Sequence, residues 1–269
     1  MSSASTLGVG GPLFLMDNNT HIKELEQFHK QYPSMSLVDD LLIETLICII
    51  MKPSQVWELG AGNGNWCSLM NHCSRPNNTE FTLVENFTLA KINDVKAAFW
   101  RKHHPYQFTT QEELISHMSN FDIKTNYFSE VKDLPTYIDK KIDIVRIDLD
   151  CPRGHDQHKL ANWILDNGSD NLVVIADDTL TNKSFHRFMI MQEQVAKGNL
   201  RLFWIGRDTS AWCRPKVVIK PFFQFAFKFK NYYGSMKFNK PYTFFGYNQK
   251  YLIIRRHAPY SAGAEGKNT

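Results

Sequence analysis

Three groups of residues in this chain have the types and spacing to do chemistry. The first is Val56-Trp57-Glu58-Leu59-Gly60-Ala61-Gly62-Asn63-Gly64-Asn65-Trp66, an apolar run with one acid, then glycines at alternate positions, then an amphipathic run. That order predicts a strand, a tight turn and a helix. Glycine suits such a turn because it adopts positive φ without strain and lets a ligand approach the backbone closely. The first amides of the following helix then point at whatever binds. The spacing departs from the dinucleotide fingerprint G-x-G-x-x-G, since Asn65 stands at the third glycine position and Gly64 comes one residue early. The second group is Glu85, which closes the apolar run Phe81-Thr82-Leu83-Val84. It lies roughly 20 residues beyond the glycines, where an acid in such folds accepts hydrogen bonds from a ribose. The third group is acidic. Asp148 and Asp150 end the run Asp143-Ile144-Val145-Arg146-Ile147, and Asp177 and Asp178 end Asn171-Leu172-Val173-Val174-Ile175-Ala176. Ligands of open parallel sheets bind outside the carboxyl ends of the strands, so these four carboxylates are expected on one rim. Crowded carboxylates repel unless a cation or a proton relieves them, and hard oxygen ligands suit Mg²⁺ or Ca²⁺. His155 and His158 are spaced for one helix face, but no third ligand accompanies them, which argues against zinc. Histidine is the residue most often used as a base near neutral pH.

The elements that must position these groups follow from the pattern. Asn19 to Gln31 reads as an amphipathic helix with Ile22, Leu25 and Phe28 on one face. Ser36-Leu37-Val38-Asp39 reads as a capping box for a helix to Met51, which Lys52-Pro53 ends. Helices are expected over 88–102 and 111–119, a third strand over 122–127, and strands at 142–147 and 171–176 joined by a helix ending near Asn167-Gly168. A helix over 184–196 and a strand at 200–205 follow. Phe222 to Lys230 alternates with period 2 and reads as a strand of an antiparallel edge hairpin with Tyr251-Leu252-Ile253-Ile254. This alternation predicts an α/β fold with a doubly wound, mostly parallel sheet and right-handed crossovers. Residues 17–257 are expected to form one domain, flanked by mobile ends at 1–16 and 258–269.

The pattern Glu58-x-Gly60-x-Gly62-x-Gly64, with the preceding helix and Pro53, resembles motif I of class I methyltransferases, which bind S-adenosylmethionine (SAM). The resemblance implies a seven-stranded sheet of that type with N-terminal helices. It also implies that Glu58, Gly60, Ala61, Gly62 and Gly64 hold the cofactor and that Glu85 takes both ribose hydroxyls. Ser129, after the third strand, and Asp148 are implied as further cofactor contacts. The passage from Ile142 to Thr179, with Asp148-Leu149-Asp150, Gly154-His155-Asp156, Trp163 and Asp177-Asp178, is similar to a subgroup of small-molecule O-methyltransferases, some of them metal-dependent. It implies a divalent cation at Asp148, Asp177 and Asp178, with Asp148, Asp150 and His155 as candidate catalytic residues. Cys151 stands where metal-dependent members of the catechol type usually carry a lysine.

Composition narrows the class. The chain has 269 residues, no apolar run of the ~18 residues that span a membrane, and five cysteines without a C-x-x-C pair, as expected of reduced thiols in a cytoplasmic protein. Its net charge of +4 hides an asymmetry: residues 209–269 hold 11 Lys/Arg and one acid, Glu265. Aromatic residues interleave with these bases across 214–256, a pattern suited to single-stranded nucleic acid. An RNA (cap or ribose) methyltransferase is therefore the alternative to a small-molecule enzyme. The lysine and acid set of cap ribose methyltransferases is incomplete here, because no Glu lies between Glu193 and Glu265. A non-enzymatic scaffold that keeps the fold is the second alternative.

Overall fold

The computed structural model describes residues 38–74, 78–85, 110–127, 131–149, 155–179, 185–205, 209–218, 242–245 and 251–254, with scattered positions from 23 to 32. Within these bounds the chain folds as α1 (Val38–Met51), β1 (Gln55–Leu59), α2 (Asn65–Ser74), β2 (Glu80–Glu85), α3 (Gln111–Ser119), β3 (Lys124–Tyr127), β4 (Ile142–Ile147), α4 (His155–Asn167), β5 (Gly168–Ala176), α5 (Phe185–Ala196), β6 (Arg201–Ile205), β7 (Ser210–Cys213), β8 (Tyr242–Phe245) and β9 (Tyr251–Ile254). The described positions between 23 and 31 are also helical.

All the described strands join one sheet in the order β3-β2-β1-β4-β5-β7-β6-β8-β9. Strands β1 to β5 pair in parallel, and β7 enters antiparallel between β5 and β6. The first seven strands are the doubly wound sheet that the sequence predicts, and the β8–β9 hairpin extends its edge. Strand order reverses between β1 and β4, which is where ligands of such sheets bind.

Period-2 alternation sorts the strand side chains between two apolar layers. Val56, Ile144, Val173 and Ile175 pack with Leu41, Ile47, Trp66, Met70 and Met118 under α1, α2 and α3. Trp57, Leu59, Val145, Ile147 and Val174 pack with Leu160, Ile164, Ile190 and Met191 under α4 and α5. The positions that continue the first set toward the strand ends are Glu58, Arg146 and Asp177. A charged layer therefore lies inside the α1–α3 face.

Most expected elements appear within a few residues of their expected limits, α3 and β4 among them. Strand β5 starts three residues before Asn171, so that α4 runs directly into it. Two pairings were not anticipated. Ser210–Cys213, not anticipated as a strand, holds the centre of the antiparallel part. Tyr251–Ile254 does form an antiparallel pair, but with Tyr242–Phe245. The expected partner 222–230, the helix at 88–102 and the two termini lie outside the described residues. Among the described residues, no helix is long and apolar enough to cross a membrane.

Candidate active site

The loop after β1 closes on the end of β2. Its amide Gly62 N donates to Glu85 Oε2 at 2.6 Å, and Gly60 N donates to the Val84 carbonyl at 2.9 Å. Glycine meets two different demands here. Gly60 has φ +83°, and a Cβ at that position would stand 2.6 Å from the Asp148 carbonyl oxygen, so the loop passes tightly over the end of β4. Gly62 has φ +55°, and a Cβ there would meet nothing within 4 Å among the described residues. The apex of the loop thus meets none of the described side chains. Ala61 is buried and Gly64 packs against the Met118 side chain, which seats the start of α2.

Below the loop lies the charged layer, centred on Arg146. Arg146 stands directly across from Glu58 in the β1–β4 register. Its Nη1 donates to Glu58 Oε1 at 2.9 Å and to Asp148 Oδ2 at 3.1 Å, and its Nη2 donates to Asp177 Oδ2. The guanidinium lies 5.3 Å from the centroid of the Trp66 ring, within cation–π range. Helix α1 adds two more buried acids. Trp66 Nε1 donates to Glu44 Oε2, and Thr209 N donates to Asp40 Oδ2 at 3.2 Å. Thr209 Oγ1 and the Asp178 amide both donate to Asp177 Oδ1, at 3.1 and 3.0 Å. From the opposite face Arg187 of α5 donates to the Ile147, Leu149 and Asp177 carbonyls, which ties the ends of β4 and β5 together.

Burial in this layer works against the charged forms of three of its acids. Burial raises the Glu44 and Glu58 carboxyls to about 8 and the Asp148 carboxyl to about 7, with the charge of Arg146 opposing the shift each time. Burial alone would lower the Arg146 guanidinium, and the surrounding carboxylates more than reverse that. It stays charged.

The expected site residues fall into separate sets. Gly60, Ala61, Gly62, Gly64 and Glu85 come together as a loop and an acid within hydrogen-bond reach. Glu58, expected as a cofactor contact, is fully buried and engages both oxygens within the chain, Oε1 with Arg146 and Oε2 with the Cys67 amide at 3.3 Å. It braces the loop from beneath. Asp148 is partly exposed at the rim, with a side chain 27% accessible. Asp150, Ser129 and the His155 side chain lie outside the described residues.

The cation expected at Asp148, Asp177 and Asp178 does not fit. Both Asp177 oxygens face Arg146, Thr209 and the Asp178 amide, Asp148 turns an oxygen to Arg146, and Asp178 is exposed while Asp177 is buried. Among the described residues, no three His, Cys, Asp or Glu side chains are grouped to hold a metal. Sequence reasoning passed over Arg146, Glu44, Asp40 and Thr209. The signal for Arg146 was present: a base two residues after Ile144 in an apolar strand must share its inward face.

No protein-family model matches the chain, and no curated protein does. Solved structures with a similar chain course include the O-methyltransferase TomG of Streptomyces achromogenes, bound to SAM and involved in tomaymycin synthesis. It is 13% identical over 76% of this chain and 92% of that one, with a TM-score of 0.47. The S-adenosylhomocysteine-bound methyltransferase PaMTH1 of Podospora anserina is 10% identical over 80% of this chain and 99% of that one, with a TM-score of 0.49. The O-methyltransferase of Bacillus cereus, in complex with the same product, is 11% identical over 75% and 93%, with a TM-score of 0.48. At identities and scores this low, the site of this chain has to be read from its own geometry.

Proposed function

We propose that the chain is a SAM-dependent methyltransferase acting on an oxygen of a small-molecule acceptor. One observation carries the reading: the glycine loop and Glu85 meet at the strand ends beside the switch point, with no described residue over Gly62. A nucleoside-bearing ligand laid there would pass over the loop backbone, and the Glu85 carboxylate would accept from its ribose. SAM supplies an activated methyl group on a sulfonium, so the protein has mainly to align acceptor and donor. The acceptor oxygen forms its bond to the methyl carbon as the carbon–sulfur bond breaks, and the hydroxyl proton must leave. Asp148 is the described group suited to take it: part of its side chain reaches the rim beside Gly60, while the burial of the rest raises the carboxyl to about 7 against the opposing charge of Arg146. A base with a pKa near the working pH is the most effective kind. Reduced, buried Cys48, Cys67 and Cys213 suit a cytoplasmic setting.

Thermal unfolding with S-adenosylhomocysteine tests the reading. At 100 times its Kd the product should stabilise the fold by about 2.7 kcal/mol, and Gly62→Arg, which fills that place over the loop, should abolish the shift. No shift at millimolar ligand would remove the methyltransferase reading and leave the non-enzymatic scaffold.

A further inference from the structure

We propose that Arg146 is the built-in counter-ion of the acidic rim, taking the place of a divalent cation, and that it positions the glycine loop from beneath. A cation at the ends of β4 and β5 would need free oxygens from Asp148 and Asp177 aimed at a common point. The guanidinium already occupies that point. It reaches Asp148 and Asp177 and, on the third side, Glu58, with a planar fork that holds several oxygens at once. Arg146 is only 2% exposed and Asp177 8%, so the arrangement is built into the core. The residues it holds each brace a different part of the rim. Glu58 accepts from the Cys67 amide at the start of α2, Asp148 carries the carbonyl over which Gly60 passes, and Asp177 joins Thr209 ahead of β7. Asp40 and Glu44 of α1 face the same layer through Thr209 and Trp66, so α1 is secured to it as well. A single side chain thereby holds β1, β4 and β5 at the edge of the cofactor loop.

The consequence for the proposed reaction is that the acceptor's proton goes to a protein carboxylate, and methyl transfer proceeds without Mg²⁺. This inference rests on the methyltransferase reading only for that consequence. The counter-ion role itself is tested without cofactor.

Wild-type protein stripped with EDTA would be titrated with Mn²⁺, Mg²⁺ and Ca²⁺ and followed by thermal unfolding and calorimetry. The expected result is no shift in midpoint and no saturable heat with any of the three. A shift in wild type that disappears in Asp177→Asn would overturn the proposal. Arg146→Met should give the converse, a lowered midpoint that Mn²⁺ partly restores, because three carboxylates are left without their counter-ion. A folded Arg146→Met indifferent to Mn²⁺ would count against a cation-substituting role. If that variant does not fold, Arg146→Lys is the substitute. Its point charge cannot bridge three carboxylates, so S-adenosylhomocysteine should bind roughly tenfold more weakly. Unchanged affinity in Arg146→Lys would overturn the positioning role. A wild type that ignores both cations and S-adenosylhomocysteine would lose the proposed activity while keeping the counter-ion.

Discussion

Gly60 and Gly62 are two residues apart, yet substitution should affect them through different physics. At Gly60 a side chain meets backbone, the Asp148 carbonyl at 2.6 Å, and φ is +83°. Gly60→Ala should therefore cost stability directly, by about 2–4 kcal/mol in urea unfolding. Gly62→Ala carries only the left-handed backbone penalty of about 1 kcal/mol, since its Cβ meets no described residue. Its larger effect should fall on S-adenosylhomocysteine affinity. Equal stability losses for the two variants would contradict this division between a packing glycine and a ligand-facing one. Asp148 makes a third prediction at this scale. Its carboxyl is raised to about 7 by burial, so a reaction that uses it as base should gain rate as pH climbs through about 7. A flat kcat/KM profile from pH 6 to 8.5 would remove Asp148 from that role.

Helix α1 is fastened to the sheet by Asp40 and Glu44, both fully buried, rather than by apolar packing alone. The partner of Glu44 is Trp66, and the other Glu44 oxygen is buried without a hydrogen-bond partner among the described residues. Trp66→Phe would keep most of the apolar volume and remove the donor, so a loss of about 1–3 kcal/mol is expected in urea unfolding. A neutral result would mean that Glu44 finds another donor. Elements whose local signals agree were legible in the sequence. The helix at 111–119 and the run from Ile142 to Ile147 are bounded as expected, while Ser36 of the expected capping box lies outside the described residues. Strand β7 was not, because its four residues owe their place to a non-sequential insertion between β5 and β6 that no local pattern encodes. The glycine loop and Glu85 were legible because their spacing along the chain dictates their meeting. Asp148, Asp177 and Asp178 were read as a metal site because acids stand out in the sequence, while Arg146, which pairs with the first two, is one residue in an apolar strand. Its role depends on register with β1 and on the turn of Asp177 inward.

Across the whole molecule, the buried acids set how stability responds to pH. Glu44 and Glu58 are raised to about 8 and Asp148 to about 7, well above the ordinary values near 4 that they regain on unfolding. Between those limits these three groups bind more protons in the folded chain than in the unfolded one, so their contribution to stability falls as pH rises through the window. Urea unfolding should give a chain less stable at pH 8.5 than at pH 6. An increase would show that the layer is already fully ionised at neutral pH. The same layer supports the loop and Glu85 on which the proposed activity depends. The most direct test of that activity is calorimetric titration of S-adenosylhomocysteine into wild type and Glu85→Ala, in EDTA. Saturable one-to-one binding is expected, weakened by roughly 10-fold or more when the carboxylate is removed. Absence of binding to wild type at millimolar ligand, or equal binding by Glu85→Ala, would contradict the account.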